Sequence, residues 1–194
     1  GANTTVASLL EIVPVSEAAQ IQAIKNCILD LDLYRKAIFV SQNAVEHGFE
    51  WIDNYWPQLP IGVDFFAVGE TTAKQLQARS VKVTDLAQSQ TGAMTSETLL
   101  QSPALQQVAG EKIVIFRGVG GRPHIGEVLS ARGAQVSYCE LYERILPSGS
   151  AQKFAAILSP LFNESQFIEK LVLVLHSGEA LENLQKVVRE LTLD

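Results

Sequence analysis

Short apolar runs rich in β-branched residues alternate along the chain with longer segments in which apolar residues recur every third or fourth position. The first pattern predicts strands and the second predicts helices. The predicted strands are TTVASLL (4–10), AIFVS (37–41), FFAVG (65–69), VKVT (81–84), KIVIFR (112–117), QVSYCELY (135–142) and LVLVLHS (171–177). The predicted helices are one marked by Ile21, Ile24, Ile28 and Leu31, and others over 43–55, 71–79, 96–108, 123–132, 150–162 and 178–191. This alternation predicts an α/β fold with a mostly parallel sheet.

Two extended stretches interrupt the alternation and suggest a domain boundary. LLEIVPVS (9–16) and CELYERILP (139–147) fit no helix, and a proline near the end of each favours a connector or edge strand. Residues 17–138 hold enough elements for a domain, whereas 1–8 and 148–194 hold few. We therefore expect two parallel-sheet α/β domains joined by a two-stranded linker, with the domain 17–138 inserted into an incomplete first domain.

A glycine-rich loop within VIFRGVGGRPHIGEVLSARG (114–133) can be compared with nucleotide-binding motifs. A dinucleotide fingerprint that starts at Gly118 needs glycine where Pro123 stands. A mononucleotide loop that starts at Gly121 needs lysine where Glu127 stands. Both comparisons argue against a nucleotide site.

The same loop retains the features of a more general anion site. It joins a predicted strand to a helix N-terminus through Gly118 and Gly121, with Arg117 and Arg122 beside it. Backbone N–H groups in such a loop can bind an anion. Glycines also serve simply to make a tight strand-to-helix turn, and the spacing leaves both interpretations open.

Four predicted strands end in small or hydroxyl residues and lead directly into helices. The carboxyl ends of parallel strands share one edge, so four helix N-termini would present N–H and hydroxyl donors there. At any single position an ordinary helix cap or turn is the simpler explanation, but the four together favour a polar cleft. The candidate binding residues are Ser41, Gln42, Asn43, Gly69, Thr71, Thr72, Arg117, Gly118, Gly121, Arg122, His176, Ser177 and Gly178.

Composition excludes several classes of function. The 194 residues carry a net charge of −6 and no basic run, so nucleic acid is not expected as a partner. No apolar segment approaches the ~20 residues of a membrane helix, and the start lacks the cationic region of a secretory signal. Cys27 and Cys139 lack metal-site spacing and are expected to be buried thiols in a reducing cytosol. Three scattered histidines do not indicate a metal site.

Several longer motifs resemble the uroporphyrinogen-III synthase family, in its proteobacterial form. They are LLEIVP, VSQNAV, FFAVGETTAKQL, GEKIVIFRGVGGRPHIGEVLSARGAQVSYCELYER and LHSGEALENL, in family order and over nearly the whole chain. Family members usually open with a strand ending in Thr-Arg-Pro and continue past the SGE helix, so we expect a first domain truncated at both ends. His176 stands where the family usually has threonine.

The resemblance implies a substrate, a reaction and a catalytic residue. The substrate is hydroxymethylbilane, a linear tetrapyrrole with eight carboxylates, which loses water and closes through a spiro intermediate with its last ring inverted. Neutral donors at the polar cleft would hold the carboxylates, with Arg117 and Arg122 adding positive potential, and neither metal nor redox cofactor is required. Tyr142 matches a family tyrosine and is the candidate general acid; the alternative is an amphipathic hinge residue.

Further expectations concern the location, the oligomeric state and the partners of the protein. We expect a cytoplasmic monomer that binds a small molecule, with a transient contact to the preceding enzyme of the pathway. The competing hypothesis is a non-catalytic, two-lobed binding protein for an acidic small molecule, whose sequence would look the same.

Overall fold

The computed structural model describes most of the chain. It covers residues 4–84, 95–163, 172–175 and 177–192, without the side chains of 160–163 and 192. The chain divides into two compact units. The sheet unit is Pro14–Glu143, and the terminal unit is Gly1–Val13 together with Arg144–Asp194.

A five-stranded sheet forms the centre of the fold, in the order β1-β5-β4-β2-β3. Strand β2 pairs in parallel with β3 on one side and β4 on the other, and β4 pairs in parallel with β5. The strands are β1 Glu11–Pro14, β2 Lys36–Phe39, β3 Asp64–Ala67, β4 Lys112–Gly118 and β5 Gln135–Ile145. The α/β class and the parallel pairing predicted from the sequence are confirmed.

Seven α-helices lie within the described residues. They are α1 Ala18–Leu29, α2 Gln42–Tyr55, α3 Glu70–Ala78, α4 Ser96–Leu100, α5 His124–Ala131, α6 Ser150–Asn163 and α7 Gly178–Thr192. Ser41 and Thr95 cap α2 and α4, because their hydroxyls accept hydrogen bonds from backbone N–H groups of the first turns. In the part of the chain that is described, no helix is both long and apolar enough to cross a membrane.

Aromatic side chains fill the core around the central strands of the sheet unit. All of β2 is buried, as expected for a parallel strand covered on both faces. Phe39 of β2 stacks on Phe116 of β4 with ring centroids 4.4 Å apart. The terminal unit has its own apolar cluster, which joins Leu9 to α6 and α7. There the side-chain amide of Asn183 donates a hydrogen bond to the Leu9 carbonyl oxygen at 2.8 Å.

Three of the predicted strands are wrong or incomplete. Residues 4–10 lie in no strand, and neither do 172–175 from the predicted strand 171–177; residues 171 and 176 lie outside the described part. The stretch 81–84 contributes one bridge, Val83 to Phe65. A β-branched run forms a strand only beside a partner strand, and the terminal unit's described residues offer only the ends of β1 and β5.

Two further predictions had the wrong boundaries. The helix predicted over 96–108 stops at Leu100, and a short 3₁₀ turn follows at Pro103–Leu105, because proline cannot continue the helix. The strand predicted over 135–142 continues through most of the connector predicted over 139–147 as one strand, β5, which ends at Ile145. The inserted-domain arrangement, with its linkers at 9–16 and 139–147, stays a prediction.

We expect replacement of Phe116 by alanine to destabilise the protein strongly. Phe116 is fully buried and stacks on Phe39, so Phe116→Ala should lower the free energy of unfolding by about 3–5 kcal/mol. Tyr55 is 39% exposed, so Tyr55→Ala should cost less than about 1 kcal/mol. Denaturant titration followed by circular dichroism compares the two variants, and equal losses would contradict this description of the core.

Candidate active site

The winding of the sheet changes direction between β2 and β4. From β2 the chain continues to β3 on one side, and it then crosses back to β4 on the other side. In open α/β sheets, ligands bind outside the carboxyl ends of the strands at such a switch point. Ser41 follows β2, Gly118 ends β4, and Tyr142 of β5 lies in register with Gly118. The fold therefore brings three of the predicted site residues to this point.

A β-bulge in β5 sets the direction of Tyr142. Arg117 of β4 is in register with Glu140, but the next residue, Gly118, is in register with Tyr142, so Leu141 is the extra residue. A bulge of this kind re-aims the side chain that follows it. The Val119 N–H then donates a hydrogen bond to the Tyr142 carbonyl oxygen at 2.8 Å, which fixes the backbone just beyond the bulge.

Gly118 leaves the space that the Tyr142 ring occupies. A Cβ atom at Gly118 would lie 2.5 Å from Cε2 of Tyr142, closer than real Cβ contacts allow. Gly126 in α5 stands in the same relation to Tyr138, whose hydroxyl would overlap a Cβ there. Two glycines of the glycine-rich stretch therefore accommodate tyrosines of β5.

A hydrogen bond joins Ser41 to Tyr142. Ser41 Oγ lies 2.8 Å from Tyr142 Oη, and the same Oγ accepts a hydrogen bond from the Ala44 N–H at 3.1 Å. Tyr142 is only 2% exposed, so burial and this bond together hold the phenol in place. With one acceptor position used by Ala44, Ser41 can donate its proton to the phenol oxygen and leave the Tyr142 O–H for a third group.

His47 is a neighbour of Tyr142 that sequence reasoning missed. The two rings lie 5.6 Å apart between centroids, and His47 Nδ1 lies 3.2 Å from Glu50 Oε2. The available signal was helical spacing, because His47 follows the buried Ala44 by three residues. His47 therefore forms part of the wall around the phenol.

Arg117 has its charge compensated inside the protein. Its Nε and Nη2 lie 3.1 and 2.8 Å from the same carboxylate oxygen of Glu140, and its guanidinium lies 4.2 Å over the Tyr138 ring. Arg117 is 9% exposed, whereas Arg122 is exposed. The geometry therefore favours a structural role for Arg117 and leaves Arg122 as the more accessible of the two cations.

The glycine-rich loop uses part of its backbone for internal hydrogen bonds. The N–H groups of Val119 and Gly121 donate to the carbonyl oxygens of Tyr142 and Gly118. Gly120 has a φ of +67°, which only glycine adopts readily. Of the two interpretations left open by the sequence, these contacts favour the tight turn over the anion site.

The predicted helix N-termini differ in charge. The first turns of α3, α5 and α7 carry Glu70, Glu127 and Glu179, whereas the first turn of α2 has no acidic residue. A carboxylate at a helix N-terminus stabilises the dipole and opposes a bound anion. Of these four N-termini, that of α2, with Ser41 and the neighbouring Gln42 and Asn43, is the most favourable for an anionic group.

The remaining predicted residues are distributed between the two units. Gly69, at φ +91°, caps α3, with Thr71 exposed and Thr72 buried in the first turn. In the terminal unit Ser177 Oγ accepts a hydrogen bond from the Ala180 N–H at 3.1 Å, and Gly178 begins α7. His176 lies outside the described residues.

Two clefts of the sheet unit lie at the amino ends of the strands, whereas Ser41 and Tyr142 lie at the carboxyl ends. One, of 490 Å³, lies beside Asp64 at the start of β3. The other, of 250 Å³, lies beside Lys112 and Gln135, which begin β4 and β5. Ligands of parallel sheets bind at the carboxyl ends of the strands, so the position of these two clefts favours neither of them as the ligand site.

The two glycines that face tyrosines should differ in their tolerance of alanine. Gly118→Ala should lower the free energy of unfolding by about 1–3 kcal/mol, because the buried Tyr142 ring has no room to move. Gly126→Ala should be far milder, because Tyr138 is 38% exposed and can swing aside, while alanine favours the helix by about 1 kcal/mol. Denaturant titration of both variants measures the difference, and equal costs would contradict the packing described for Tyr142.

Comparison with known proteins places these features in a family. The family model described as Uroporphyrinogen-III synthase HemD matches residues 1–194. Uroporphyrinogen-III synthase of Escherichia coli (strain K12) is 34% identical over 171 residues, which are 88% of this chain and 63% of that protein. The enzyme of the same name from Salmonella typhimurium is 41% identical over 105 residues, which are 54% of this chain and 42% of that protein. The matched part of the chain thus spans less than two thirds of either relative.

One solved structure supports the fold. A mutant uroporphyrinogen III synthase from the extremely thermophilic bacterium Thermus thermophilus matches with a TM-score of 0.55 at 14% identity, over 78% of this chain and 57% of that chain. The resemblance noted in the sequence motifs is confirmed by the family model, which matches from the first residue to the last. The chain belongs to the uroporphyrinogen-III synthase family.

Proposed function

We propose that this chain acts as a uroporphyrinogen-III synthase, a cyclising lyase of tetrapyrrole biosynthesis. The reaction converts hydroxymethylbilane to uroporphyrinogen III with loss of water and inversion of the last pyrrole ring. Family membership supports the reaction, and the observation that carries the site is the 2.8 Å hydrogen bond between Ser41 and Tyr142 at the switch point of the sheet. The matched part of this chain spans less than two thirds of these two relatives. The activity of the relatives is therefore a proposal for this chain.

Tyr142 is the proposed general acid. Its phenol proton passes to the hydroxyl group of the substrate as the C–O bond breaks, and water leaves. Ser41 donates its proton to the phenol oxygen and so stabilises the negative charge that develops there. The cationic substrate then cyclises, and the proton lost when the last ring regains aromaticity returns to Tyr142, which balances the reaction.

Neutral donors are the proposed ligands for the substrate carboxylates. A protein with a net charge of −6 binds a polyanion best through N–H and hydroxyl groups with little competing negative charge nearby. The N-terminus of α2 meets this requirement, because its first turn has no acidic residue. The proposed binding residues are Gln42 and Asn43 beside Ser41, with Arg122 as an accessible cation. The other residues named from the sequence stay predictions; they are Gly69, Thr71, Thr72, Gly118, Gly121, Ser177 and Gly178, and His176 in the part of the chain that is not described.

Other features of the hypothesis stay predictions. They are the inserted-domain arrangement, the monomeric state, the cytoplasmic location and a transient contact with the preceding enzyme of the pathway. A non-catalytic binding protein for an acidic small molecule would have the same sheet edge and the same buried tyrosine. Product analysis separates the two functions.

We expect the protein to form the type III isomer and Tyr142→Phe to form it more slowly. Fresh hydroxymethylbilane is supplied, the products are oxidised, and the uroporphyrin isomers are separated by chromatography. Phenylalanine keeps the ring on Gly118 and removes only the hydroxyl, so kcat should fall about 10²-fold, a typical general-acid contribution. Tyr55→Phe, which alters an exposed phenol, should leave kcat unchanged.

Two outcomes would contradict different parts of this proposal. Type I product at the spontaneous rate from the unaltered protein would exclude the synthase activity and favour the binding protein. Type III product from Tyr142→Phe at the unaltered rate would retain the activity and show Tyr142 to be a hinge residue.

Replacement of Ser41 should lower kcat more than it raises KM. Loss of one hydrogen bond to Tyr142, worth about 1 kcal/mol, corresponds to about a fivefold fall in kcat for Ser41→Ala, and Ser41→Thr should restore it. Thr95→Ala removes a comparable helix cap and controls for lost stability. If Ser41→Ala instead raised KM alone, Ser41 would be a substrate ligand and not a partner of Tyr142.

A further inference from the structure

The two cysteines of the chain meet inside the sheet unit. Cys27 lies on α1 and Cys139 on β5, and the two thiols are close enough for each to be the largest influence on the pKa of the other. Cys27 Sγ also lies 3.9 Å from the carbonyl oxygen of Tyr138, the group bonded to the nitrogen of Cys139. Neither sulfur is in a disulfide. The two cysteines are far apart in the sequence, so their spacing did not predict that they would be neighbours.

The two thiols differ in access to solvent. Cys139 is 1% exposed, whereas Cys27 is half-buried. The expectation of two buried thiols is therefore wrong for Cys27. Cys27 lies on α1 between the exposed Asn26 and the buried Ile28, at the margin of the buried face of the helix. An oxidant can thus reach one member of the pair while the other stays protected.

The thiols also differ in acidity. The hydrogen bond from Cys139 lowers the pKa of Cys27 to about 7, with a smaller contribution from the Tyr34 hydroxyl 3.9 Å away, although burial and Asp30 oppose the shift. The same hydrogen bond and burial raise the pKa of Cys139. Burial raises the pKa of Tyr34 to about 12, so Tyr34 remains a donor. The accessible sulfur is thus the better nucleophile at neutral pH.

We propose that Cys27 and Cys139 form a thiol–disulfide site that reacts with low-molecular-weight disulfides of the glutathione type. The Cys27 thiolate attacks one sulfur of the oxidant, forms a mixed disulfide and releases one thiolate. Cys139 then loses its proton, attacks the Cys27 sulfur and displaces the second thiolate. Two protein thiols are oxidised, and one disulfide is reduced to two thiols.

The surroundings favour a pair and not a metal site. Within the described part of the chain, no group of three or more His, Cys, Asp and Glu side chains is placed to hold a metal ion. Cys27 Sγ already packs against the backbone next to Cys139, so a bond between the two sulfurs needs local adjustment and no change of fold. A bond closing so long a stretch of chain should raise the stability of the folded state. This site is independent of the proposed function.

Oxidised glutathione tests the proposal on the intact protein. Free-thiol titration and intact mass should show both thiols lost together, with loss of two hydrogens and no bound glutathione. Non-reduced peptide mapping of the unaltered protein should recover the Cys27 and Cys139 peptides linked within one chain. Cys139→Ala should instead retain glutathione on Cys27, and Cys27→Ala should leave Cys139 unmodified. The oxidised protein should melt at a higher temperature than the reduced protein.

Three results would overturn the proposal. They are stable glutathione on Cys27 of the unaltered protein, a disulfide between two chains instead of within one, and thiols that stay reduced under conditions that oxidise an exposed model thiol. Peptide mapping distinguishes all three without relying on a variant, so a poorly folding variant does not affect the decision.

Discussion

The candidate site depends on the close packing of Tyr142 against Gly118. Any side chain at Gly118 would occupy the space of the phenol ring, and the bulge in β5 aims that ring toward the end of β4. Once the ring lies there, its hydroxyl reaches Ser41 at the start of α2. The absence of a side chain at Gly118 therefore leaves the space that the phenol needs in order to reach Ser41.

The charges around the candidate site are compatible with the proposed polyanionic substrate, although the protein as a whole is acidic. The guanidinium of Arg117 is held by Glu140, so the charge that the sequence suggested for binding serves to fix β4 to β5. The favourable electrostatics come instead from the N-terminus of α2, whose first turn has no carboxylate. Hydroxyl and N–H donors bind anions with little net charge, and such contacts suit the proposed substrate, whose last ring must turn during the proposed reaction.

The sequence predicts the parts of the fold that depend on local pattern. Apolar runs at 37–41, 65–69 and 112–117 became strands β2, β3 and β4, because each is followed by a helix that returns the chain to the sheet. Residues 4–10 have the same pattern and form no strand, because strand formation needs a partner that composition cannot reveal. Family resemblance led to Tyr142, but not to its contacts. Ser41 lies 101 positions away, and the Cys139 thiol beside Cys27 had no signal in the sequence. For His47 the available signal was its helical spacing from the buried Ala44.

The central claim is that Ser41 acts through Tyr142, and a double-mutant cycle on kcat for type III product tests it most directly. The four proteins are the unaltered chain, Ser41→Ala, Tyr142→Phe and the double variant. If the hydroxyls work as a unit, the double variant should be no slower than Tyr142→Phe alone, because Ser41 has no phenol oxygen left to stabilise. Losses that multiply would contradict the account and assign Ser41 a separate role.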